Sequence, residues 1–171
     1  MTNAPYLAPG ARGGFRYGNT ELKDAIVNDG LWCSFDNVLM GLGTDNYVAG
    51  SITRDQQDEL AMKSNTRAAA AIEAGRFNDE IIPVAVPQRK GDPKMVTFDE
   101  GVRGDTTMES LGGLKPAFDK NGSITAANAS QISDGGSAVL MMSKKAAEAR
   151  GVKPLGEVLS YGMVAGPDNA S

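Results

Sequence analysis

The chain has 171 residues, 41% of them hydrophobic and 22% charged, with 17 basic against 21 acidic side chains and a net charge of -4. That length suffices for one domain with a real core, or a domain with an appendage, and an acidic balance with scattered Lys and Arg argues against nucleic acid as the main partner. Histidine is absent and Cys33 is the one cysteine, which excludes Ser-His-Asp and Cys-His machinery, an internal disulfide and a zinc cluster within the chain, so a general base must be a tuned carboxylate, a lysine or a group from another chain.

Residues 1–19 are rich in Gly and Pro and carry Tyr6, Arg12, Phe15, Arg16 and Tyr17, which predicts an extended, loop-like segment, either an ordered surface loop or a subunit contact. This start lacks the regions of a signal peptide, and no apolar run approaches the roughly 20 residues of a membrane span, so the chain reads as cytoplasmic with no membrane partner. A short helix is expected over 20–28, stopped by Gly30, with Leu31, Trp32 and Phe35 beyond it as core. The clearest helix covers 53–74: Thr53 and Gln56 have capping-box spacing, the interior is dominated by Ala, Leu, Met, Glu and Lys, and Gly75 suits the left-handed position past the end.

Residues 80–88 favour a strand through Ile81, Ile82, Val84 and Val86, although Pro83 and Pro87 each remove a ladder donor and point to an edge. A turn at 89–93 and a returning strand at 95–98 complete a hairpin-like excursion. The stretch 103–122 reads as a loop, a short helix near 107–112 and a turn at 119–122. Beyond it, 137–142 is an apolar run suited to a strand buried on both faces, Ser143 caps a helix that Gly151 ends, and 156–161 is a further strand. Strand, helix, strand is the grammar of an α/β layer. The first 130 residues lack that alternation, so a boundary falls near Ser130. Neither an internal repeat nor a low-complexity segment is visible.

Five stretches carry a resemblance when taken together. They are NAPYLAPGARGGFRYG at the start, GLW followed by Phe at 30–35, PQRKGDP at 87–93, the run 103–118 with its TT and LKPAF, and TAANASQISDGGSAVLMMS at 125–143. In this order and spacing they resemble the thiolase family of acetyl-CoA acetyltransferases. The resemblance implies an α/β, thiolase-like fold in which an irregular α+β loop domain, 1–130, joins an incomplete α/β layered core, 131–171. It implies acyl transfer between coenzyme A (CoA) thioesters, run by a nucleophilic cysteine, a histidine of a Gly-His-Pro motif and a second cysteine of a Cys-Gly-Gly motif. The first lies upstream of the matched region in the family and the other two downstream. The chain is therefore expected to be a central fragment that holds substrate without catalytic residues, inactive and only partly folded or poorly soluble alone. No metal and no cofactor are expected, CoA thioester being the substrate, and the intact parent is expected to form dimers or tetramers. A stand-alone, non-catalytic CoA-binding or interaction module is the alternative.

The resemblance also assigns residues. Arg103 matches the position beside the nucleotide, and Ser110 one near the adenine end. Ala126 and Ser130 match the turn that meets pantetheine, while Leu31, Met40 and Phe118 match apolar positions along the pantetheine and acyl tunnel. Each has an ordinary structural counterpart: a solvated loop arginine, a surface serine, an Asx-type turn, or simple core. Cys33 stands where the family usually has an acidic residue, and nothing in its stretch supplies the electropositive neighbour a reactive thiolate needs, so it reads as structural. Two departures bear on the site. Leu39 replaces a frequent histidine before Met40, which leaves acyl chain length open. Ala127 replaces a glycine in the turn and is tolerated only where φ is negative.

Overall fold

The computed structural model describes residues 1–163. Among these residues, four α-helices and three two-stranded antiparallel sheets are linked by long irregular stretches. The first strand, β1 (Tyr6–Leu7), pairs with β2 (Lys23–Asp24) across a loop that holds a 3-10 turn at Pro9–Gly13. The helix expected over 20–28 and stopped by Gly30 forms only at its end. Residues 23–24 are strand, Ala25 N donates to Pro5 O at 3.0 Å, and a five-residue π-helical turn, Ile26–Gly30, follows and ends at Gly30, its first N–H donating to Asp24 Oδ1 at 2.9 Å. Pairing with the N-terminal segment, a long-range contact, overrides the local helical pattern.

A tight hairpin comes next, β3 (Trp32–Cys33) against β4 (Val38–Leu39). Asn37 turns it at φ 57°, a value asparagine tolerates better than most residues, and its side-chain carbonyl accepts from Trp32 Nε1 at 3.3 Å. The expectation that Leu31, Trp32 and Phe35 form core is corrected: Leu31 is half-buried, but Trp32 is 42% exposed and Phe35, out on the hairpin loop, 97% exposed. The hairpin runs directly into α1 (Met40–Val48), with Leu39 at the extended N-cap position.

The second helix, α2 (Arg54–Glu73), forms as its capping signals require. Thr53 Oγ1 accepts from Gln56 N at 3.3 Å, Gln56 Oε1 accepts from Thr53 N at 2.9 Å, and Gly75 adopts φ 66° just past the end. It packs against α3 (Met108–Gly112), whose own capping box joins Thr107 and Ser110. Between α2 and α3 the excursion closes as β5 (Val84–Val86) against β6 (Lys94–Val96), with Ala85 opposite Met95. Pro83 and Pro87 bracket β5 without entering its ladder, and the return strand begins at Lys94 and ends at Val96, short of Phe98.

The final helix, α4 (Lys144–Ala149), is capped by Ser143 and ended by Gly151 at φ 64°, as its residues predict. The flanking strands expected at 137–142 and 156–161 are not present, and the strand-helix-strand unit is therefore unformed among the described residues. Apolar character gives a run reason to be buried, but a strand also needs a neighbour to take its N–H and C=O groups, and neither run has one here. Leu140 and Leu159 are 86% and 87% exposed. Burial concentrates elsewhere, where α1, α2 and α3 meet residues 123–125: Val48, Leu111 and Ile124 are buried together with Asp45, Asp58 and Thr125.

Candidate functional site

The two fully buried large side chains are polar, Asp58 and Thr125, and both serve one turn. Asp58 faces the rest of the fold from α2. Its Oδ2 accepts from Arg54 Nε at 2.7 Å, an i,i+4 ion pair, and its Oδ1 accepts from Asn128 Nδ2 at 3.0 Å. Arg54 Nη2 continues to the carbonyls of Leu111 and Leu114 at 2.7 and 3.2 Å, tying α2 to the end of α3. Asn128 in turn closes its own loop: its Oδ1 accepts from Thr125 N at 2.7 Å, its Nδ2 also donates to Ser123 O at 3.0 Å, and Thr125 Oγ1 accepts from the N–H groups of Ala127 and Asn128 at 3.3 Å each. The TAANAS turn is thus held from within by Thr125 and Asn128 and from beneath by a buried carboxylate.

A second carboxylate secures the approach to this turn. Asp45, on α1, accepts at Oδ1 from Ser123 N at 2.7 Å and Ile124 N at 3.0 Å. Gln57 Nε2 donates to Ser123 Oγ at 2.8 Å from the α2 side. Gly122 is needed there, since a Cβ would stand 2.4 Å from Asp45 Oδ2. On the surface side of the turn, Ala126 and Ser130 are exposed. Asn37 is the one non-glycine described residue with positive φ, so Ala127 keeps a negative φ and its Cβ is accommodated.

The apolar candidates also come together. Met40 N donates to Leu31 O at 2.8 Å, which ties the residue before the hairpin to the first residue of α1. The Phe118 ring lies flat enough on α1 that a Cβ added at Gly41 would stand 2.2 Å from it. Ala117 N donates to Ile124 O at 2.8 Å, so the segment bearing Phe118 runs beside the start of the turn. Met40 and Phe118 remain 55% and 42% exposed.

Arg103 lies on a different loop, with an exposed side chain. Ser110 Oγ accepts from Thr107 N at 3.1 Å and donates to Thr107 O at 2.8 Å, so its hydroxyl is engaged in capping α3. The thiol of Cys33 donates to Asp36 Oδ2 at 3.4 Å within the β3–β4 hairpin. Among the described residues no cluster of three or more His, Cys, Asp or Glu could hold a metal, and no helix is long and apolar enough to cross a membrane. An open pocket of about 290 Å³ lies against Tyr6, Asp24 and Ile132, and none of the seven residues assigned from the resemblance lines it.

The residues that organise the site, Asp45, Arg54, Asp58, Thr125 and Asn128, were not singled out from sequence. Arg54 and Asp58 carried a usable signal, opposite charges four apart at the head of a helix. Asp45 carried none, because its partners are 78 and 79 positions away.

Residues 1–145 match the family model described as the thiolase N-terminal domain. A probable acetyl-CoA acetyltransferase of Mycolicibacterium smegmatis is 49% identical over 170 residues, 99% of this chain and 44% of its own length. An acetyl-CoA acetyltransferase of Pseudomonas aeruginosa is 49% identical over 162 residues, 94% of this chain and 41% of its own. Among solved structures, an acetyl-CoA acetyltransferase from Syntrophomonas wolfei superposes with a TM-score of 0.76 at 38% identity, over 90% of this chain and 39% of that one. The chain spans about two fifths of the length of these relatives. With the match covering most of its residues and the fold shared at this level, the chain belongs to the thiolase family and has an α/β, thiolase-like fold.

Proposed function

We propose that this chain is the CoA-binding part of a thiolase-class acyltransferase, one that moves acetyl or acyl groups between CoA thioesters, and that the chain itself supplies no catalytic group. The observation that carries this reading is the TAANAS turn: a buried carboxylate, Asp58, and the Thr125–Asn128 pair fix it while Ala126 and Ser130 stay exposed. Rigid presentation of small and hydroxyl-bearing residues suits the pantetheine arm, whose two amides need partners when they leave water.

The other assignments follow the chemistry of the ligand. Arg103 would meet the phosphates or purine of the nucleotide, since a guanidinium forks toward phosphate oxygens and stacks on flat rings. Ser110 would stand near the adenine. Leu31, Met40 and Phe118 would wall the tunnel for pantetheine and the acyl group, with Met40 adaptable to its contents. Residues 1–130 form the CoA-binding insertion in this reading and 131–171 a portion of the α/β core, the last eight of which lie outside the described residues. CoA thioester is substrate, and no further cofactor is invoked.

Chemistry is left to groups absent from this sequence. It has no histidine, and its one thiol is engaged with Asp36. The surroundings would be the cytoplasm. The assembled parent would be a dimer or tetramer, and the exposed apolar side chains between Val139 and Met163 favour burial against further protein. The test is calorimetric titration of the chain with CoA. Arg103→Ala is expected to weaken binding about tenfold, the scale of one charge-assisted contact to phosphate. Equal affinity of the two proteins would remove Arg103 from the site.

A further inference from the structure

Arg103 is held in an unusual way for an exposed loop residue: its backbone is fixed on both sides while its side chain is free. Its N–H donates to Asn65 Oδ1 at 3.0 Å, and its carbonyl accepts from Thr106 Oγ1 at 2.7 Å and Thr106 N at 3.2 Å. Asn65 is itself tied down, since its Nδ2 donates to Ala61 O at 3.1 Å within α2. Nearby, Gly104 presses on the same helix so closely that a Cβ would stand 2.7 Å from that of Ala69. On the other flank, Gln131, one residue past the TAANAS turn, donates from Nε2 to Gly101 O at 2.7 Å.

Asp58, which holds the turn, and Asn65, which holds the arginine loop, lie on the same helix two turns apart. Their spacing corresponds to about 10.5 Å along the axis and a nearly identical face. A helix of 20 residues with a formed capping box is a stiff element, so it sets the distance between the two segments. A ligand that is anionic at one end and carries an amide-bearing arm must meet both segments at once, and a fixed spacing spares it the cost of ordering them on binding.

Resting on the CoA-binding reading above, we propose that Asn65 and Gln131 are positioning residues: they clasp the backbone of the 101–106 loop so that the Arg103 guanidinium is offered at a set distance from the TAANAS turn. Neither side chain needs to touch the ligand. Their effect passes through Arg103, and this separates the proposal from a direct contact.

The test is a double-mutant cycle on the full chain, read by calorimetric titration with CoA and paired with thermal melts. Asn65→Ala is expected to weaken CoA about fivefold, the scale of one lost hydrogen bond. The melting temperature should move little, and Asn65→Asp, which keeps the acceptor oxygen, should retain most of the affinity. Combined with Arg103→Ala, the Asn65 substitution should cost nothing further. Gln131→Ala is expected to behave in the same way and carries the test if Asn65→Ala fails to fold. Additive losses in the double variant, or no loss from Asn65→Ala and Gln131→Ala while Arg103→Ala weakens binding, would overturn the positioning role and leave the binding site standing. No loss from Arg103→Ala itself would overturn the site reading beneath it.

Discussion

Asp58 is the residue on which the largest consequence of a single substitution falls. It is 1% exposed and joins a cation on its own helix to an amide on a distant turn. Removing one member of a buried, hydrogen-bonded pair leaves its partner uncompensated, so Asp58→Ala is expected to cost about 3 kcal/mol, measured by denaturant unfolding. Arg103→Ala should leave the same curve nearly unchanged and act on CoA affinity alone, because its side chain is exposed and the contacts of its loop are made by backbone. At this scale the sequence was readable unevenly. Of the residues assigned from resemblance, Leu31 is joined to Met40 by a backbone hydrogen bond and the Phe118 ring lies against Gly41. Asp58 shows locally only its pairing with Arg54, four positions away, while its tie to Asn128 and both ties of Asp45 reach partners some 70 to 79 positions away, which no local pattern reveals.

Elements with local signals were legible and those with distant partners were not. The second helix announces itself by Thr53, Gln56 and Gly75, and the third and fourth by Thr107 and Ser143 at their N-caps. The first helix lacks any side-chain cap and contains Gly41, Gly43 and Thr44, weak helix formers, so nothing local marks it. It is held by tertiary ties, Met40 N to Leu31 O and Asp45 to residues 123 and 124. The runs at 137–142 and 156–161 fail for the opposite reason: the first is continuously apolar after Ser137 and the second carries Val158, Leu159 and Tyr161, but a ladder needs a partner that local pattern does not provide. Because α2 spaces both proposed binding segments, its start is the informative place to weaken it. Thr53→Ala removes the side-chain acceptor of the capping box and is expected to lower stability by about 1 kcal/mol. Thermal denaturation followed by far-ultraviolet circular dichroism would detect it.

Across the described residues, a small buried centre at α1, α2, α3 and 123–125 coexists with exposed apolar side chains between Val139 and Met163. That balance agrees with the proposed reading as a binding segment: the polar network is complete around the turn, while the apolar runs on either side of α4 form no strand. The chain has no histidine, and its one thiol, Cys33, donates to Asp36 within the β3–β4 hairpin. Under the proposed reading the chain binds CoA thioesters without turning them over. The most direct measurement is equilibrium dialysis of the 171-residue chain against acetoacetyl-CoA and free CoA, with the thioesters on both sides analysed afterwards. Acetoacetyl-CoA is expected to be retained by the protein and recovered intact. Conversion to acetyl-CoA, or no retention at all, would contradict that reading.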